Sequence, residues 1–351
     1  MIKGWRHSDL NDCVKEIRSG KSVNSIEEPA KSDEIGVLKT SCVYSGKFNP
    51  RENKTVIPAE RNLVKCPVTA GTIIVSRMNT ADLVGASGYV DQSHPNIFLP
   101  DRLWAVFPKQ GVDPIWLYYV TSSPGTRARL SNNASGTSAS MKNISQDVFL
   151  SMPVWIPPLP EQRKISRILS TWDEAIEKLE KLIAAKRQRK QGLMQRLLFG
   201  RVRFPEFVKS DDIRSMKWIN IPADWDLVHI GDVASQVSAT NGQGEELPVL
   251  SCTKHAGLVD SDQYFGKRIY SEDISGYKVV ARYQFTYATN HIEEGSIGYQ
   301  DIYPQGLVSP MYTVFKTRRN RVYDGFLFKI LKTELFRHLF QINTNSSEAV
   351  W

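Results

Sequence analysis

The stretch PPLPEQRKISRILSTWDEAIEKLEKLIAAKRQRKQGLMQRLLFGRVRFPEF, Pro157 to Phe207, decides how this 351-residue chain is organised. Pro157, Pro158 and Pro160 cannot sit inside a helix but can precede or open one. Glu161 falls in the first turn, where exposed N–H groups favour a carboxylate. Apolar residues then recur at steps of mostly three, four and seven, the mark of one apolar stripe. Ile165, Trp172, Leu179, Lys186 and Leu193 form a seven-step row broken by one lysine. Gly200 and Pro205 mark the end. At ~1.5 Å per residue, about 39 residues make a rod of roughly 58 Å. A helix that long with one apolar stripe needs a partner helix. The expected partner-helix interface is Ile165, Ile168, Leu169, Trp172, Ile176, Leu179, Leu182, Leu193 and Leu197. Packing against the chain's own domains is the alternative.

Outward from this helix, the two flanking bodies look alike, which makes an internal repeat. "GWRHSDLNDCVKEI" with Trp5 answers "DWDLVHIGDVASQV" with Trp225. "AGTIIVSRMNTADLVG" answers "ARYQFTYATNHIEEGSIG", pairing Asn79 with Asn290. "LWAVFP" answers "MYTVFK", and "IWLYYVTSSPGTRARLSNNAS" answers "GFLFKILKTELFRHLFQINTNSS". Short β-rich runs precede helix-like segments in each copy, so each reads as α+β. The boundaries are 1–156 for the first domain, 157–204 for the helical spacer and 205–351 for the second domain. The second copy has no counterpart of "MKNISQDVFLSMPVWIPPLPEQ" and its helix, so it reads as incomplete at its C-terminus. A natural end with a dissimilar tail is the alternative.

The formal charge is +8. Lys181, Lys186, Arg187, Arg189, Lys190, Arg196, Arg201 and Arg203 supply all of it, with no acid among them. Such a balance permits nucleic-acid binding. The four cysteines are scattered and show no metal-ligand spacing, as in a reduced, cytoplasmic protein. No run of ~18 apolar residues predicts a membrane helix. Residues 1–20 lack the apolar core of a signal peptide. No phosphate-binding loop, nucleophile elbow, H-E-x-x-H or Asn/Asp-Pro-Pro-aromatic stretch occurs. The reading is a binding or architectural protein with no catalytic residues, no metal and no cofactor.

The central stretch resembles the specificity (S) subunits of type I restriction–modification enzymes. "IPPLPEQRKISRIL", "TWDEAIEKLEKLI" and "KRQRKQGLMQRLLFGRVRFPEF" carry the resemblance, and "GTSASMKNIS" is similar to the end of that family's target-recognition domains. The resemblance implies two tandem α+β target-recognition domains joined by a long coiled-coil-type helix. It implies a non-catalytic subunit that reads a bipartite site in double-stranded DNA and docks modification (methyltransferase) subunits. Restriction subunits join through that complex. In the family the central helix pairs with a second helix near the C-terminus. Without it, the stripe implies a homodimer, a complementing fragment or an inactive subunit. A stand-alone DNA-binding protein is the other reading.

Phosphate contacts give affinity and base-edge contacts give sequence; Arg suits guanine, and Asn or Gln suits adenine. Candidate readers therefore lie in polar loops. In the first domain these are Lys47, Asn49, Arg51, Arg77, Asn79, Asn132 and Asn133. In the second they are Gln243, Lys254, His255, Asn290 and His291. The basic patch Lys186, Arg187, Arg189 and Lys190 has three readings. It docks a methyltransferase subunit, contacts phosphates between half-sites, or complements the negative end of its helix.

Overall fold

The computed structural model describes residues 4–138, 141–242, 244–254 and 256–345. The chain divides into two compact units, Met1–Lys181 and Leu182–Trp351. In the first unit, β1 (Val14–Ser19), β2 (Ile73–Ser76), β3 (Ser87–Tyr89) and β4 (Leu103–Pro108) form an antiparallel sheet in the order β1-β4-β2-β3. Strand alternation sends Ile73, Val75, Trp104 and Val106 to one face and Ile74, Leu103 and Ala105 to the other. The first face is covered by α1 (Pro114–Ser122) and α2 (Pro124–Asn132) through Trp116, Leu117 and Leu130. On the other face lie Leu38, Val68 and Leu99, from a second sheet that includes Gly36–Leu38, Lys65–Val68 and His94–Leu99. A strand buried on both faces cannot alternate with polar residues, which is why β2 reads Ile-Ile-Val-Ser.

Both helices start where sequence chemistry dictates. Asp113 accepts from Trp116 N at 2.9 Å and Ser123 from Thr126 N at 3.3 Å, each just before a proline in the first turn. The long helix α3 (Leu159–Leu197) has 39 residues. Its first turns are fixed to the first unit by buried polar contacts. Gln162 Oε1 accepts from Asp113 N at 2.9 Å, and its Nε2 donates to Pro157 O at 2.8 Å. Ser166 donates to Asp113 Oδ1 at 2.6 Å, and Tyr119 donates to Asp173 at 2.7 Å. Asp113 thus caps α1 and anchors α3 with one carboxylate.

The second unit repeats the sheet. β5 (Ala234–Val237), β6 (Phe285–Ala288), β7 (Ile297–Tyr299) and β8 (Tyr312–Thr317) stand in the order β5-β8-β6-β7. Phe285, Ile297 and Phe315 face α4 (Asp324–Leu331) and α5 (Glu334–Asn345), where Leu327, Leu331 and Phe340 meet them. Val314 faces the other way, toward Leu250, Val280 and Val308. The Phe285 and Phe315 rings stack with centroids 4.9 Å apart.

Two close approaches recur. Gly88 of β3 pairs with Ile74, and a Cβ there would lie 2.6 Å from Phe48 N. Gly298 of β7 pairs with Thr286, and a Cβ there would lie 2.7 Å from Leu258 Cβ and 2.9 Å from its N. In both units a residue with positive φ stands two positions before the inner strand. It is Gly71 (φ 79°) in the first and Tyr283 (φ 70°) in the second.

Candidate nucleic-acid interface

In the first unit, Lys47, Asn49 and Arg51 lie on the connection between strands Gly36–Leu38 and Asn53–Val56. Asn49 accepts from Arg51 N at 3.1 Å, an Asx-type turn that shapes the loop. Tyr118 of α1 donates to Gly46 O and ties the loop down. Lys47 Nζ stands 3.6 Å from Glu177 on α3. Arg51 is exposed and borders a surface cavity of about 540 Å³ together with His94 and Asn96.

Asn79 is committed internally. Its Nδ2 donates to Tyr44 at 3.0 Å and to Ser76 at 3.2 Å, and its Oδ1 accepts from Thr80 N at 2.9 Å. Tyr44 belongs to the Lys47 loop, so this bond joins the two loops. Arg77 packs half-buried with its guanidinium 6.0 Å from the Trp104 ring centre, and its buried Nε has no partner among the described residues. Asn133 donates to Arg129 O at 2.8 Å and closes α2; Asn132 beside it is exposed. Ser131 donates to Ala81 O at 2.7 Å and Arg127 to Asp82 O, which bring the end of α2 under the loop that follows Asn79. The seven candidates of the first unit therefore sit on one network of loops.

In the second unit, Gln243 and His255 lie outside the described residues. Lys254 and His291 converge on one carboxylate. Lys254 Nζ is 3.8 Å and His291 Nδ1 3.5 Å from Glu294. Asn290 is exposed beside them. His291, Glu293 and Glu294 bring ligand atoms within 4.8 Å of one another, but all belong to a surface turn already engaged by Lys254.

The stripe on α3 is open to solvent over most of its length: Trp172 is 67% exposed and Leu179 57%. Ile165 differs, because it packs against the core of the first unit beside the anchored turns. Lys186, Arg187, Arg189 and Lys190 are all exposed. Of these four, Arg187 and Lys190 line a cleft of about 970 Å³ in the second unit, together with Lys254, Lys332 and Arg337. Burial pushes the Lys332 ammonium below its ordinary value, and it donates to Gly295 O at 2.7 Å. Lys332 and Arg337 are not among the residues that the sequence singles out. The repeat is the one signal that points to Arg337: it stands at the position in α5 that Arg127 holds in α2, and in the structure each has a buried Nε without a partner among the described residues.

A family model described as "Type I restriction modification DNA specificity domain" matches residues 2–187. The EcoEI type I restriction enzyme specificity subunit of Escherichia coli is 24% identical over 187 residues, 53% of this chain and 32% of that protein. The putative MjaX type I restriction enzyme specificity subunit of Methanocaldococcus jannaschii is 22% identical over 259 residues, 70% and 58% of the two chains. The chain thus spans between 32% and 58% of the length of these curated relatives. A solved type I restriction–modification S subunit from M. genitalium aligns with 98% of this chain and 80% of its own, at a TM-score of 0.56 and 15% identity. That likeness is one of fold. No helix among the described residues is long and apolar enough to cross a membrane.

Proposed function

The chain belongs to the type I restriction–modification DNA specificity family, and from that premise we propose that it reads a two-part target in double-stranded DNA for a modification complex. Residues 1–156 act as the first reader, 157–204 as the spacer and 205–351 as the second reader. The observation that carries this is the repeat: one sheet order, β1-β4-β2-β3 and β5-β8-β6-β7, built twice on one chain with α3 between. Two copies of one scaffold with different loop residues suit two different half-sites.

In this reading the loops around Lys47, Asn49, Arg51 and Asn132 serve the first half-site. Lys254, Asn290 and His291 serve the second. Asn79 holds the first loop network in shape through Tyr44. The exposed row from Ile168 to Leu197 is the surface offered to a partner helix or to a modification subunit, since an apolar stripe of that length is costly to leave wet. Methyl transfer and cleavage belong to other chains of the complex, with restriction subunits joining last.

Co-expression with a type I modification subunit, followed by mapping of methylated adenines, tests this reading. Modification at a split, non-palindromic motif is expected. Exchanging residues 205–351 for those of another family member should change one half of the motif only. A complex that forms but modifies a single continuous motif, or a change in both halves, overturns it.

A further inference from the structure

We propose that the cleft lined by Arg187 and Lys190 is a site for the DNA phosphate backbone, placed beside the loops that read the second half-site; this rests on the function proposed above. The cleft of about 970 Å³ draws its cations from separate parts of the second unit. Arg187 and Lys190 come from the last turns of α3, and Arg201 from the segment beyond it. Lys254 comes from the turn between strands Leu250–Thr253 and Gly257–Asp260. Lys329, Lys332 and Arg337 come from α4, α5 and their junction. Seven cations thus face two carboxylates, Glu294 and Glu334.

Like charges gathered in one concavity repel, and a cleft of one sign focuses its field on an incoming ion of the other. Here the excess is not neutralised from within. Arg187, Lys190 and Arg201 make no ion pair with another described residue. The Arg337 Nε lies buried in the cleft wall beneath Gly295, with no acceptor among the described residues. A polyanion entering the cleft would neutralise that excess.

Two observations favour DNA over an acidic protein face. One wall of the cleft is the Glu294–Gly295 turn and Lys254, next to Asn290 and His291, so a strand touching those readers continues directly into it. The cations also come from several segments as separate points, which suits successive phosphates. The four-residue basic patch of α3 divides accordingly: Arg187 and Lys190 line the cleft, whereas Lys186 and Arg189 do not.

That division supplies an internal control of equal charge. The full-length chain, co-purified with the modification subunit, is titrated with a duplex carrying the mapped target over a range of salt concentrations. Each lost phosphate contact lowers the slope of log K against log salt by about 0.9. Arg187→Gln with Lys190→Gln should therefore reduce the slope by about 1.8. Lys186→Gln with Arg189→Gln should leave it unchanged. An equal fall in both pairs would mean diffuse charge and would overturn the cleft. An unchanged slope in the Arg187/Lys190 pair also overturns it; if that pair loses the modification subunit instead, the cleft is a protein-docking surface. A wild-type complex that binds no DNA removes the proposed function as well, whereas wild-type binding with an unaltered slope in the variant removes this inference alone.

Discussion

The two units build one sheet and finish it differently. In the first, strand Arg6–Asp9 pairs with Pro153–Ile156, Leu10 N donates to Met152 O at 3.0 Å, and Leu10 is fully buried. In the second, the matching stretch Asp226–His229 has no strand partner among the described residues. Leu227 is 61% exposed, and Ile230, at the position of Leu10, is 38% exposed. The first unit also uses Asp113 to seat Gln162 and Ser166 of α3. Its counterpart Asp324 instead accepts from Thr317 and Tyr299 within its own unit. The difference separates two layers of specification. The four-stranded sheet and its helices follow from buried alternation and recur intact. The outer edge depends on which segment is available to cover it.

The strongest way to break this comparison is at the shared close approach. Gly88→Ala and Gly298→Ala each force a methyl group into a neighbouring segment, at 2.6 Å from Phe48 N and 2.7 Å from Leu258 Cβ. The backbone must shift to admit it, at a cost of about 3 kcal/mol in each unit. Differential scanning calorimetry of the full chain should show one transition displaced downward in each variant. If only one of the two glycines matters, the units do not share a packing solution.

Much of this architecture is legible in the residues. Proline before the helix, a period of three and four, and glycine after it bracket Leu159–Leu197 closely. The repeat shows in the order of features because strands buried on both faces must stay apolar whatever the loops do. The candidate site is less legible. Asn79 looks like a free amide until Tyr44, thirty-five positions earlier, is seen to occupy it. The cleft is not legible because Lys329, Lys332 and Arg337 are ordinary surface cations until folding gathers them into one cleft with Lys254, Arg187 and Lys190. A charge run along one helix is visible in one dimension; a charge cluster made by four segments is not.

A smaller effect sharpens the comparison at the turn before the inner strand. Gly71 and Tyr283 hold the same left-handed backbone, which an L side chain adopts at a cost of about 1–2 kcal/mol. Gly71→Ala newly incurs that cost and should lower the first unit's stability by about 1 kcal/mol. Tyr283→Ala incurs no new strain, because the wild type already bears it. It loses the contacts of the ring with Arg282 and Arg319, whose guanidinium carbons lie 5.5 and 4.9 Å from its centre, and with the Tyr299 ring, 6.3 Å away. At about 0.5 kcal/mol for each of the two exposed cation–π contacts, its stability change should also be about 1 kcal/mol, reached by a different route. Urea denaturation of the two variants side by side measures both losses, and one at Tyr283 well above that at Gly71 would show that its ring does more than fill a turn.

The smallest effect concerns how the second unit ties down the segment after α3. Asp224 accepts from Lys209 N at 3.0 Å and from Arg203 Nη1 at 2.7 Å, while the other guanidinium nitrogen donates to Phe207 O at 2.7 Å. The Lys209 amide first, and the Arg203 guanidinium with it, hold the Asp224 carboxyl below its ordinary 3.8. A carboxylate whose value is lower in the folded chain binds fewer protons there than in the unfolded one. Its stabilising share is therefore complete above 3.8 and disappears as pH falls through the lower folded value. Asp224→Asn removes that share at neutral pH but has nothing left to lose in strong acid. The variant's urea midpoint should lie below wild type at pH 6 and converge with it as the acid limb is descended. A gap that persists undiminished there would mean that Asp224 acts through packing beside Trp225 rather than through its charge.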